Sequence, residues 1–163
     1  MGTFLLTNLL LECLKKAAPS RVVNLIGQAY RKGLIDFDVI LSEKTYSAFK
    51  ASINAHLAKA IFSNELARRL EGTGVTSNCA DPGAVRTQLQ KKLPWYIQLL
   101  GAPMRIFFAS PEKGARTQVY LASSSEVEGV TGKYFKNMKE REFTKEANNE
   151  NVARRLWNMS EEM

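Results

Sequence analysis

Histidine and cysteine are scarce in this chain, with one histidine and two cysteines among 163 residues. A lone imidazole, His56, cannot build a metal site by itself. Cys13 and Cys79 lack CxxC spacing, which excludes a disulfide framework and predicts two reduced, buried thiols. Runs of like charge are also missing. The net charge of +7 comes from 23 basic and 16 acidic residues scattered as short pairs, such as Lys15-Lys16 and Arg68-Arg69. No aromatic residues interleave with a basic stripe, so no nucleic-acid partner is expected. Long apolar runs are absent as well. Residues 4–14 (FLLTNLLLECL) are interrupted by Asn8 and Glu12, are too short to span a bilayer and lack a signal peptide's basic start. Residues 93–110 (LPWYIQLLGAPMRIFFAS) contain Pro94, Pro103 and Arg105, so they read as an apolar flap over a greasy pocket or as a membrane-surface contact.

What is present is an ordinary globular composition, 45% hydrophobic and 24% charged, sufficient for one domain with a core. Residues 3–17 predict a helix with Leu6, Leu9, Leu10 and Leu14 on one face, ended by Pro19. Arg21–Ile26 is a β-branched run of strand length. Residues 44–71 predict a long helix whose stripe of Ala51, Ala55, Ala58, Phe62, Leu66 and Leu70 is buried, with Gly72 and Gly74 as its stop. Val75–Ala80 is a second strand, leaving through Pro82-Gly83. Pro111 opens a helix to about Ser123, and Gly132–Phe135 is a short third strand. The tail from 136 is polar, with a terminal helix over about 150–160. Alternation of strand and helix implies right-handed crossovers and a parallel sheet.

Several stretches together resemble the retinol dehydrogenase branch of the short-chain dehydrogenase/reductase family. They are GTFLLTNLLLECLKKAAPSRVVNL, SEKTYSAFKA, LARRLEGTGVT, DPGAVRTQL, GVTGKYF and VARRLWNMS, and they cover almost the whole chain. The resemblance implies a three-layer α/β Rossmann-type fold. It also implies NADP(H)-dependent oxidation or reduction of retinoids or similar apolar carbonyl compounds, and an intracellular setting, cytoplasmic or peripheral on the endoplasmic reticulum membrane. The family's glycine-rich TGxxxGxG turn, which holds the cofactor pyrophosphate on backbone N–H groups, has no counterpart in these 163 residues. The expectation is therefore a partial fold, residues 1–163 as one unit with about three parallel strands, without the dinucleotide-binding half.

Aligned on YSAFKA and on Leu57-Ala58, the family's catalytic tyrosine falls on Ser52, its lysine on His56 and its strand-end serine on Gly27. Tyr46 and Lys50 form an upstream pair with the same spacing. Six residues move a side chain roughly 9 Å along a helix and about 120° around it, so that pair faces elsewhere. Carbonyl reduction by hydride needs a proton donor at the oxygen. A phenol with pKa near 10 can be tuned toward working pH by an adjacent ammonium. An alcohol at Ser52 is far less acidic, and His56 is expected to be an ordinary half-buried helix histidine, mostly neutral at pH 7. By resemblance, Pro82, Gly83, Val85 and Thr87 match the turn that meets the nicotinamide carboxamide and a nearby phosphate. Two functions stay open: a retinol dehydrogenase-like enzyme, with the substituted positions arguing against turnover, and a non-catalytic binding or regulatory protein. In this family the helices matching residues 3–17 and 44–71 pair across a dimer axis, so a homodimer, or a heterodimer with an intact relative, is expected. A third reading is the product of a truncated or decaying gene.

Overall fold

The computed structural model describes residues 2–38, 47–86 and 108–163. Helix α1 (Gly2–Lys16) leads into strand β1 (Ser20–Leu25), followed by a 3-10 turn (Gln28–Lys32) and helix α2 (Ala48–Arg69). Strand β2 (Val75–Asp81), helix α3 (Pro111–Ser123), strand β3 (Tyr134–Lys136), strand β4 (Lys139–Arg141) and helix α4 (Glu150–Glu162) complete the order. The sheet runs β1-β2-β3-β4, with β1, β2 and β3 parallel and β4 antiparallel to β3. The fourth strand lies in the stretch read as polar tail. All three of its residues are exposed, so it carries no apolar alternation to announce it.

The local chemistry explains most element ends. Ser110 caps α3, its hydroxyl accepting from the Lys113 N–H at 3.3 Å, and Pro111 occupies the first turn, where its missing N–H is harmless. The Asn149 carboxamide accepts from the N–H groups of Asn151 and Val152 and opens α4. Helix α2 ends at Arg69, and the turn beyond it carries Gly72 and Gly74, both at left-handed φ near +77° and +76°.

Burial is nearly continuous along β2, as a sheet covered on both faces requires. Cys79 and Tyr134 face α2 and α4, in a core with Ile26, Tyr30, Leu57, Ile61 and Ala153. Their neighbours Ala80 and Phe135 face the opposite layer, against Leu121 of α3 and Val127. A further cluster joins α1, α2 and α4. The ring of Trp157 stacks on Phe62 at 5.7 Å and meets Phe4 edge-on at 5.0 Å. Leu66, Leu70 and Val75 lie beneath them. Between sheet and α2, Asn24, Ser63 and Ser77 form a closed hydrogen-bonded set, with Ser63 and Ser77 hydroxyls 2.9 Å apart. Mutual satisfaction is what lets three polar side chains sit in that core.

Three expectations are corrected. Leu6, Leu9 and Leu10 do not face the core; they are 60%, 72% and 47% exposed, while Phe4, Leu11 and Leu14 pack inward beside buried Thr7. Helix α1 is apolar on both faces, so periodicity could not decide which one the sheet takes. In α2 the predicted stripe is buried only from Phe62 onward; Ala55 is exposed, and the buried positions nearer the start are Ile53 and Leu57. Cys13 is exposed, whereas Cys79 is buried, with its thiol pushed up to about 12 chiefly by loss of solvent.

Candidate functional site

Ser52 and His56 lie one turn apart on α2, and Gly27 lies two residues past the carboxyl end of β1. The structure brings two of these three together. The Gly27 N–H donates to His56 Nδ1 at 3.2 Å. That bond fixes the tautomer, because a nitrogen that accepts carries no proton, so Nε2 holds the hydrogen. Burial, with help from the Lys59 ammonium, holds the imidazole pKa below its ordinary value, and the Asp81 carboxylate opposes them. His56 is therefore half-buried, with its imidazole held toward the neutral form. Ser52 is exposed. At Gly27 a Cβ would meet only His56 Cε1 and Nε2, at an ordinary 3.8 Å. The site has room for the hydroxyl that the sequence does not provide.

The turn after β2 is held by a residue that sequence reasoning treated only as part of a motif. Asp81 is 1% exposed. Its Oδ1 accepts from the Gly83 N–H at 2.8 Å, closing a local turn, and its Oδ2 accepts from the Tyr134 hydroxyl at 2.8 Å. The Lys136 ammonium stands 3.8 Å away. Burial first, then the bond to Asp81, pushes the Tyr134 hydroxyl well above the usual phenol range, so it remains a donor. The available signal was the Asp-Pro-Gly order, in which an aspartate can bond its own backbone two residues on.

Gly83 takes φ +71°, and nothing lies within 4 Å of where its Cβ would be, so its role is conformational. Val85 bridges to Ala109 in parallel fashion, and a Cβ on Gly114 would collide with the Val85 side chain. That close approach docks the turn against the start of α3. Thr87 and Tyr46 lie outside the described residues, as does 93–107 of the expected flap; Lys50 is exposed. The described residues fit the nicotinamide end of a dinucleotide site only through this backbone turn. Among the described residues no helix is long and apolar enough to cross a membrane, and no group of three or more metal-ligating side chains converges.

No protein-family profile matches the chain. Human retinol dehydrogenase 14 is 48% identical across 100% of the chain, which covers 49% of that protein. The chain thus spans about half the length of the curated relatives it matches. Two solved structures share the fold. An uncharacterized protein from Mycobacterium paratuberculosis superposes with TM-score 0.72 at 24% identity, over 99% of the chain and 55% of that protein. A short-chain dehydrogenase/reductase from Burkholderia xenovorans gives TM-score 0.58 at 17% identity, over 82% of the chain and 50% of that protein. With its parallel sheet, its Asp-Pro-Gly turn and near-half identity to a retinol dehydrogenase along its whole length, the chain belongs to the retinol dehydrogenase-like branch of the short-chain dehydrogenase/reductase family.

Proposed function

We propose that this chain is a retinol dehydrogenase-like short-chain dehydrogenase/reductase that does not reduce or oxidise a substrate by itself. The activity of its kind would be NADP(H)-dependent interconversion of retinoids or similar apolar alcohols and carbonyls. One observation carries the reading: the side chain at the lysine position, His56, accepts a hydrogen bond from Gly27 N–H through Nδ1. A neutral imidazole spent on a backbone amide cannot hold a phenol's pKa down, and Ser52 offers no phenol. Gly27 has no hydroxyl to orient a carbonyl oxygen. Three roles are unfilled within one constellation, at the positions of proton donor, cation and substrate anchor.

Catalysis is tested by incubating the purified chain with NADPH and retinal and following cofactor oxidation. The expected result is no turnover above background and no saturable NADPH fluorescence change below millimolar cofactor. Restoring Gly27→Ser, Ser52→Tyr and His56→Lys together is expected to leave the chain inactive, because no TGxxxGxG turn is present to hold pyrophosphate. Turnover by the unaltered chain would refute the proposal. Turnover by the triple variant alone would confine the defect to the three side chains.

A second reading, association with another copy or with an intact relative, is favoured by the outer face of α1. Leu5, Leu6, Leu9 and Leu10 are all between 47% and 72% exposed, and α2 presents exposed Ala55 beside half-buried Ala51 and Ala58. Large side chains beside small ones suit helix-on-helix packing. Ala55→Arg is expected to lower the mass in sedimentation; an unchanged mass would remove this reading.

A further inference from the structure

The side of α2 that carries His56 continues to a cation that the site has not yet used. Lys59 stands three residues on, on the same side of the helix, and is half-buried. No hydrogen bond or ion pair among the described residues reaches its ammonium. Burial is the first influence on both the imidazole and the Cys79 thiol, and the Lys59 charge acts on each of them as well, so the ammonium stands near the carboxyl end of β2. The other charges at this end of the sheet are matched. The Asp81 carboxylate takes the Gly83 N–H and the Tyr134 hydroxyl, with Lys136 3.8 Å away, and the Lys136 ammonium donates to Gln28 Oε1 at 2.8 Å. Lys59 is left as an uncompensated positive charge. His56 adds a donor beside it. With Nδ1 accepting from Gly27, the proton sits on Nε2, and no hydrogen bond among the described residues takes it. The Nε2 edge borders the space beside Gly27, where a Cβ would meet only His56 atoms, at 3.8 Å. Toward the start of the helix, Ser52 and the 75% exposed Phe49 lie on the same stripe. From Phe49 to Lys59 that stripe runs roughly 15 Å, apolar and open at one end, cationic and half-buried at the other.

We propose that this stripe binds an apolar carboxylic acid, of the fatty or retinoid kind, with its carboxylate shared between the Lys59 ammonium and the His56 Nε2–H and its hydrocarbon running toward Phe49. A carboxylate has two acceptor oxygens and one negative charge, which answers one neutral donor and one unmatched cation. An alcohol or aldehyde of the same skeleton would leave the ammonium unmatched. Half-burial raises the worth of such an ion pair over that of an exposed one, and the empty space at Gly27 admits the head group. The inference deepens the non-catalytic reading of this site. That reading is tested by turnover and this one by binding, so either can fail alone.

The test is titration of the chain with all-trans-retinoic acid, palmitate and retinol, followed by calorimetry and by the Gly27 amide resonance. At least one of the two acids is expected to bind saturably, and about 10-fold or more tighter than retinol; the tighter acid identifies the source. Lys59→Met should weaken acid binding by on the order of 10- to 100-fold, the worth of one charge-assisted hydrogen bond, and leave retinol unchanged. Its urea midpoint should stay put, because no bond within the described residues is lost. Lys50→Met, exposed on the same helix, should alter neither ligand. Gly27→Val, at a backbone φ of −96° that accepts any side chain, should fill the space and remove acid binding. Absence of saturable binding by either acid would overturn the proposal. Retinol bound as tightly as the acids would do the same. Equal losses for Lys59→Met and Lys50→Met would also overturn it, assigning the affinity to net charge.

Discussion

The two halves of helix α2 differ sharply. From Ala60 to Ala67 every residue is buried, and the segment holds Leu66, Phe62 and the Asn24–Ser63–Ser77 set in one block. From Ala48 to Ala55 only Ile53 is buried, and this half carries Ser52 just ahead of His56. The scaffold half keeps side chains that pack well, with even its buried Glu65 bonded to Arg68 and Arg69 at 2.7 and 2.8 Å. The other, chemical half carries a small alcohol at Ser52 and an imidazole at His56, where the family resemblance leads one to expect a phenol and an ammonium. A fold and a reaction centre can thus be maintained separately on one helix, because packing depends on volume and burial whereas proton transfer depends on individual functional groups.

The largest expected effect probes that contrast directly. Leu66 is fully buried among Phe62, Leu70, Val75 and Trp157. Truncation to alanine leaves a cavity and is expected to cost about 2–5 kcal/mol in urea unfolding. Ser52→Ala, on the same helix but exposed, should change stability by less than about 0.5 kcal/mol. Comparable losses at the two positions would show that the chemical half is also structural.

Asp81 comes next. Replacing it with alanine removes the acceptor of the Tyr134 hydroxyl and of the Gly83 N–H, both at 2.8 Å. Stranding a buried donor is expected to cost about 1–3 kcal/mol. Asp81→Asn keeps an acceptor for Gly83 and should cost less. Equal losses for the two variants would mean that the turn depends on the charge and its neighbour Lys136 rather than on the hydrogen bonds.

These positions also separate what was legible in the sequence from what was not. Alternating strand and helix patterns, Pro111, Gly72 and Gly74 announced the parallel sheet and most of its element ends, since each acts through local backbone chemistry. Strand β4 was not announced, because Lys139–Arg141 is polar and exposed at every position. The inward face of α1 was misread because leucines occupy both faces. At the site, the identities of Ser52, His56 and Gly27 could be placed by resemblance. The bond from Gly27 to Nδ1 could not, since it joins residues 29 apart in sequence across a strand and a helix. The Asp81–Tyr134 pair, 53 residues apart, was hidden for the same reason.

The smallest expected effect concerns that imidazole. Because the folded pKa of His56 lies below its unfolded value, the unfolded chain takes up the proton first as pH falls. The stability His56 contributes is therefore fully present above about pH 6.5 and is lost progressively as pH drops through the folded value. Protonation at Nδ1 would set two donors against each other at the 3.2 Å contact with the Gly27 amide. The unfolding midpoint is thus expected to fall between about pH 7 and pH 5 by more in the natural chain than in His56→Gln, which has no proton to gain. The Gly27 amide resonance should shift over the same interval. Identical pH profiles for the two proteins would mean that the imidazole is as accessible to protons when folded as when unfolded. The neutral-histidine account of the lysine position would then fail, and with it the electrostatic half of the contrast between the two ends of α2.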